Sequence, residues 1–239
     1  ACGIGVVLTF APGWGKGAEE FRIREVDVRG AVVLTPGEVK QLCGVTEGES
    51  LLSLDVTEVE EAAAGSPRVA RAQATRLLPD RVLIRLVEKE PLALVKTANG
   101  LIEVAGDLMV LPPASRTPLV DLPVVTGADC ELSEGERVED PELASVIELL
   151  GRARAVSREL WMEMSEIRIA PGSGLVIYTV ADGAEIRVGS GALDEDGLER
   201  LAMVLRDIEL SGLEAESIDL RFREQAVVRF ESGAAGGRV

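Results

Sequence analysis

The 239-residue chain contains no histidine. That absence excludes Ser-His-Asp and Cys-His nucleophilic catalysis and every zinc site that uses imidazole. Cysteine is scarce as well. Cys2, Cys43 and Cys130 stand far apart with no Cys-x-x-Cys spacing, so no thiolate metal site or redox motif is present. Cys43 and Cys130 have the chemistry to pair in an oxidising compartment. Cys43, however, follows Leu42 at the end of an apolar helix face, where a buried free thiol is the ordinary outcome. Aromatic residues make up 3% of the chain against 46% apolar residues overall, so the core must be aliphatic rather than ring-lined. Basic residues are short too, 25 against 41 acidic ones, for a net charge of −16. A surface of that sign repels phosphate backbones and makes nucleic acid a poor partner, while favouring solubility and basic partners.

What is present begins with an uncharged stretch, residues 1–14. A spanning helix needs roughly 20 apolar residues, so this segment is too short alone. The chain starts without methionine, and Pro12-Gly13, Trp14 and Lys16 come after the apolar run in the order expected at a membrane exit. Residues 1–14 are therefore expected to be the outer end of a truncated N-terminal transmembrane helix, joined by a glycine-rich hinge to the first strand. No charged n-region or small-residue cleavage pattern marks a signal peptide.

From residue 21 the pattern becomes that of a small folded unit. A strand is expected over 22–29, with a slip or bulge where Arg24-Glu25 breaks the alternation. Thr35, Pro36 and Glu38 supply an N-cap, a first-turn proline and a capping-box acid for a helix over 35–42. Asp55 and Glu58 do the same for a helix over 56–65, which Gly65-Ser66-Pro67 ends. Two alternating strands come next, divided by Pro79-Asp80. After Pro91 short strands at 92–96, 101–111 and 122–127 precede a helix over about 142–154. Strands at 165–170, 174–180 and 185–189, punctuated by Pro171-Gly172 and Asp182-Gly183, lead to a helix over about 194–210. The last strand-like region is 217–230, and the Gly-rich tail 231–239 is expected to be disordered.

Enzyme-like signals are weak. Asp194-Glu195-Asp196 opens a helix, where the dipole favours acids without any cation. Gly172-Ser173-Gly174 lacks the spacing of a phosphate loop or a nucleophile elbow. No catalytic residue, metal site or cofactor is expected.

The β-α-α-β-β order over about 70 residues resembles a POTRA domain. The rest extends the likeness: the chain is similar to the extracytoplasmic part of the FtsQ/DivIB family of bacterial cell-division proteins. Glu88-Lys89-Glu90-Pro91-Leu92-Ala93 resembles the family's E-R-x-P-x-A junction, with Lys89 in place of arginine. The stretch 101–108 resembles its "lvD-x-x-G" hairpin, with Glu103 where Asp is usual and Gly106 in register. Leu122-Pro123 to Gly127 resembles "LP-x-x-x-G", Asp182-Gly183 with Val188-Gly189 its "DG" strand motif, and Ile218-Asp219-Leu220-Arg221-Phe222 its "vDLR(F/Y)". The resemblance implies an α+β fold: a POTRA module at 21–91, then a larger mixed α/β "β-domain" at 92–230 with a terminal edge strand, after a linker at 15–20. It also implies a single-pass scaffold of the cytoplasmic membrane that works outside it, at the division septum, binding FtsB and FtsL and recruiting later septal proteins.

Residue chemistry places the binding expectation on 217–230. Read as one strand, Leu220, Phe222, Glu224, Ala226, Val228 and Phe230 share a side, and Asp219, Arg221, Arg223, Gln225, Val227 and Arg229 share the other. A break at 223–225 would make it a hairpin or a bulge instead, and the residues leave both open. A terminal strand at a sheet edge offers unpaired backbone groups to an added strand. The resemblance assigns partner contact to Arg221, Phe222, Glu224, Ala226, Val228 and Phe230, with Phe222 and Phe230 as anchors and Arg221 as a charge contact. A second candidate surface is the helix 56–65 with the strand 69–76, in which Val56, Val59 and Ala63 are expected to pack inward and Glu58, Glu60 and Glu61 to form a solvated face. The rival readings are a POTRA-bearing outer-membrane assembly or secretion component, which would carry repeated modules or a barrel, a periplasmic enzyme, and a purely structural envelope protein.

Overall fold

The structure is a computed structural model that describes residues 19–113, 121–170, 174–189, 194–221 and 225–230. The expected membrane segment, the hinge at 13–18, the Pro171-Gly172 turn and the tail lie outside the described residues. The chain divides into two compact units, the second beginning at Lys89. No helix among the described residues is long and apolar enough to cross a membrane.

The first unit runs β1 (Glu25–Arg29), α1 (Pro36–Leu42), α2 (Val56–Ala64), β2 (Val69–Leu77) and β3 (Arg81–Glu88). Its sheet has the order β1-β3-β2, with β1 parallel and β2 antiparallel to β3. Inward positions such as Val26, Val82, Ile84 and Leu86 bury against Val39 of α1 and Val59 and Ala63 of α2. The capping box at Thr35 is complete, with each partner's side chain accepting from the other's backbone N–H, and an N-cap of this kind stabilises by about 1 kcal/mol. The first strand starts three residues later than its pattern suggests. The N–H groups of Arg24 and Glu25 both point to the Asp80 carbonyl, at 2.8 and 3.4 Å. That shared acceptor is the slip at Arg24-Glu25. Cys43 closes α1 as a buried free thiol, and burial pushes it above the usual thiol range.

The second unit is one eight-stranded mixed sheet with helices. Its strands are β4 (Pro91–Thr97), β5 (Gly100–Ala105), β6 (Val124–Thr126), β7 (Met164–Ala170), β8 (Gly174–Thr179), β9 (Glu185–Val188), β10 (Ala215–Asp219) and β11 (Val227–Phe230), in the order β11-β10-β9-β8-β7-β6-β4-β5. A single row of β-branched residues crosses it in register: Ile102, Val95, Val125, Ile167, Ile177, Ile186, Ile218 and Val228. The six inner members are fully buried, each contributing on the order of 1.5–3 kcal/mol by burial. A one-residue slip anywhere would turn a whole strand's apolar set outward, so this row fixes the position of the edge strand β11.

Helix α3 (Pro141–Val156) buries Leu143, Val146, Ile147, Leu149, Leu150 and Ala153. The short helix α4 (Arg158–Glu163), which the sequence pattern does not announce, is capped by Ser157 and buries Leu160 and Trp161. Helix α5 (Glu195–Ser211) is capped by Asp194, whose carboxylate accepts from Gly197 N–H at 2.9 Å, and ends at Gly212 in the left-handed conformation. Of the acids at its start, Asp194 is thus the cap, and Glu195 and Asp196 lie in the first turn, where the helix dipole favours them. Gly127 closes the strand β6 at φ +80, where an added Cβ would sit 2.4 Å from the Ile169 carbonyl oxygen. Only glycine fits that close approach.

Candidate partner-binding edge

The region 217–230 is a hairpin rather than one strand. β10 and β11 pair antiparallel, with Ile218 opposite Val228 and Asp219 opposite Val227. The hairpin keeps the parity that a continuous strand would have had. Ala226 and Val228 are half-buried and pack on the main core, while Val227 and Arg229 face out. β11 is one of the sheet's two outer strands, β5 being the other, and among the described residues is bonded on one side only, to β10. It carries exposed apolar groups, Val227 at 46% on the outward side and Phe230 at 42% at the strand's end. An open edge flanked by apolar side chains is the structural requirement for adding a partner strand.

Charge is concentrated just beside this edge. The carboxylate of Asp219 accepts from the Arg221 side chain, Nε at 2.9 Å and the terminal nitrogen at 2.5 Å, and from the Arg221 backbone N–H at 3.1 Å. The Arg221 guanidinium holds the Asp219 carboxyl down to about 2. Arg187 on β9 stands opposite Asp219 in the parallel register and bonds Glu185 at 2.9 Å. The motif Ile-Asp-Leu-Arg thus has a simple logic: Ile218 and Leu220 go into the core and Asp219 and Arg221 pair on the surface. Arg221 remains half-exposed and is held in place, which suits it to meet an acidic group at low entropy cost.

The start of β10 is held by Asp182. Its carboxylate accepts from Thr179 Oγ1 at 2.7 Å, Ala215 N–H at 3.1 Å and Ala184 N–H at 3.4 Å. Partial burial raises this carboxyl's pKa, but the hydrogen bonds outweigh it and the net shift is downward. The sequence pattern shows Asp182-Gly183 as a turn and gives no sign of this clamp beyond the pairing of the Asp with Thr179 three residues earlier.

Of the six expected contact residues, Arg221, Ala226, Val228 and Phe230 gather at the hairpin, with Arg221 just beyond β10 and the other three in or beside β11. Phe222 and Glu224 lie outside the described residues. The second candidate surface is different. Val59 and Ala63 are buried, as expected. Glu60 is not a solvated acid: its carboxylate accepts from Ala74 N–H at 2.8 Å, tying α2 to the outer strand β2, because an edge N–H lies within its reach. The junction residues also have separate tasks. Glu88 accepts from Val33 and Leu34 N–H at 2.8 and 2.9 Å, Lys89 pairs with Asp107 at 2.7 Å, and Glu90 pairs with Arg154 at 2.5 Å.

A three-stranded α+β module followed by a larger mixed sheet with an open terminal edge defines a POTRA-bearing protein with a second, sheet-forming domain. Residues 21–89 match the family described as POTRA domain, FtsQ-type, and residues 93–221 match the family described as cell division protein FtsQ/DivIB, C-terminal. The chain belongs to the FtsQ/DivIB family of bacterial cell-division proteins. It is similar to the cell division protein FtsQ of Anaeromyxobacter sp. (strain K), 34% identical over 226 residues that cover 94% of this chain and 75% of the relative. FtsQ of Myxococcus fulvus is 32% identical, covering 87% and 72%, and FtsQ of Geotalea daltonii is 27% identical, covering 89% and 77%. A solved structure of the major extracytoplasmic domain of DivIB from Geobacillus stearothermophilus is 19% identical, covers 52% of this chain and 96% of its own, and has a TM-score of 0.35. The family is one of cell-division proteins and is not a known enzyme family.

Proposed function

We propose that this protein is a non-enzymatic divisome scaffold whose hairpin edge receives a strand from the extracytoplasmic part of FtsB, with FtsL alongside. The observation that carries the reading is β11: a short outermost strand, locked in register through Val228, with Val227 and Phe230 exposed beside it. Backbone pairing along that edge supplies affinity, Phe230 supplies an apolar anchor, and the oriented guanidinium of Arg221 meets an acidic residue of the partner. Phe222 and Glu224 belong to the same proposed contact. Residues 1–14 anchor the chain in the cytoplasmic membrane and 15–20 act as linker, so that the POTRA domain (21–91) and the β-domain (92–230) stand outside it, at the septum. The POTRA domain contacts further divisome proteins.

The test is site-specific crosslinking in dividing cells. A photo-crosslinking residue at Val227 should capture FtsB, and the same residue at Thr75 on β2 should not. Capture at Thr75 but not at Val227 overturns the assignment of the edge.

A further inference from the structure

The outer face of the first unit's sheet, the side away from α1 and α2, carries a charge arrangement that the strand-edge reading does not use. Cross-strand register places Arg29 of β1 opposite Arg85 of β3, and Arg85 opposite Gln73 of β2. Arg71 lies further along β2, opposite Val87. These side chains line one shallow cavity of about 240 Å³, with Gly30 and the Leu86 backbone in its floor. Gly30 sits at φ +83, and a Cβ there would fall 2.1 Å from the Leu86 carbonyl oxygen, so β1 approaches β3 this closely only with glycine.

Two like charges directly opposite on neighbouring strands destabilise a sheet, and this chain has a surplus of carboxylates available for neutralising them, 41 acids to 25 bases. Asp27 neutralises Arg29, bonding it at 2.7 and 3.0 Å. Among the described residues Arg71 and Arg85 have no ion pair or hydrogen bond. Their five-donor forks stand in a concave, partly apolar surface beside Val87, which is 55% exposed. A guanidinium placed this way matches a carboxylate in two-point geometry.

We infer that this face is a docking site for an acidic segment of a partner protein, with Arg85 and Arg71 gripping Asp or Glu carboxylates and Val87 meeting the intervening apolar side chain. Neighbouring strands lie about 4.8 Å apart, so Arg29, Arg85 and Gln73 present polar groups across roughly 10 Å, enough for two carboxylates of one segment. An anionic bilayer is the weaker occupant, because a chain of net charge −16 meets long-range repulsion over a uniformly negative surface. A short segment presents its few charges at the cavity alone. The site lies on the first unit's sheet and does not depend on the assignment of β11.

The experiment is fluorescence anisotropy with a labelled decapeptide of alternating Glu and Val, titrated with the whole chain at low salt. Saturable binding is expected, weakened about fivefold or more by Arg85→Gln and by Arg71→Gln, unchanged by the control Arg206→Gln, and weakened by raising NaCl, as for exposed charge contacts. The unfolding midpoint of Arg85→Gln should be unchanged or raised, since a like-charge neighbour is removed. Four results would overturn the inference. The peptide does not bind; Arg206→Gln weakens it as much as Arg85→Gln; inorganic phosphate displaces it at equal concentration, marking a simple anion pocket; or phosphatidylglycerol vesicles bind through Arg85 more tightly than the peptide does.

Discussion

Two of the outer strands, β2 and β11, face solvent under opposite rules. β2 is nine residues long, and its surface away from the helices is polar or charged at Arg71, Gln73 and Thr75. One of its edge N–H groups, Ala74, is already taken by Glu60, and Arg76 reaches from it to the Leu54 carbonyl at 3.0 Å. β11 is four residues long, with Val227 and Phe230 exposed, and only β10 bonds it among the described residues. Charged side chains and a blocked N–H are how a sheet edge is kept from pairing with other chains. Edge position alone therefore does not make a docking strand; the chemistry of the exposed row decides. The longer edge is guarded and the shorter one is open.

Four changes would break or sharpen that contrast. The largest effect is expected from Phe230→Glu, which places a charge where an apolar anchor is proposed. It should weaken FtsB binding by at least about 2 kcal/mol, roughly thirtyfold, in the range of an interface hot spot, with the circular dichroism spectrum unchanged. Next, Asp182→Ala removes the acceptor for Ala215 N–H and Thr179 at the root of β10. It should lower unfolding stability by roughly 1–3 kcal/mol by leaving partly buried donors unpaired, and weaken partner binding as well because β11 loses its platform. Third, Glu60→Ala frees the Ala74 N–H on β2. A cost of about 1 kcal/mol in denaturant is expected, together with concentration-dependent self-association in sedimentation, whereas Glu60→Gln, which keeps an acceptor, should stay monomeric if the wild type does.

The smallest effect is a pH dependence at the hairpin. The folded-state carboxyl of Asp219 lies at about 2, below the unfolded value of about 3.9. Its stabilisation is therefore complete above about pH 4 and is lost as the pH falls through about 2. The half-exposed Arg221 partner leaves the pair screened by solvent, which makes this the smallest of the four effects. Comparing acid unfolding of the wild type with Asp219→Asn should show a stability difference that is full above about pH 4 and vanishes as the pH falls through about 2.

The parts of this architecture legible in the sequence were those with local causes. Thr35-Pro36-Glu38, Asp55 and Asp194 announce their helices through capping chemistry, and the structure places all three at N-caps. The alternating apolar residues of β2, β3, β7, β8 and β9 declare strands because each covers a helix-packed core. The hidden parts depend on partners far away in the chain. The hairpin at β10–β11 cannot be told from one strand, because both arrangements keep Asp219 and Val227 on one side. Glu60 reads as one more surface acid until the fold brings the Ala74 N–H to it. α4 is short, and Ser157 lacks the acid three residues on that would complete a capping box. The row from Ile102 to Val228 is invisible for the same reason: its members come from eight separate segments and meet only in the sheet.

The central claim, that the open edge β11 is where the partner docks, is tested most directly by titration calorimetry of the chain with the extracytoplasmic segments of its own organism's FtsB and FtsL. The account predicts saturable binding that Phe230→Glu weakens at least about thirtyfold and Glu60→Ala leaves intact. Binding that Phe230→Glu in a folded protein leaves at wild-type strength, or no binding by the wild type, would contradict it.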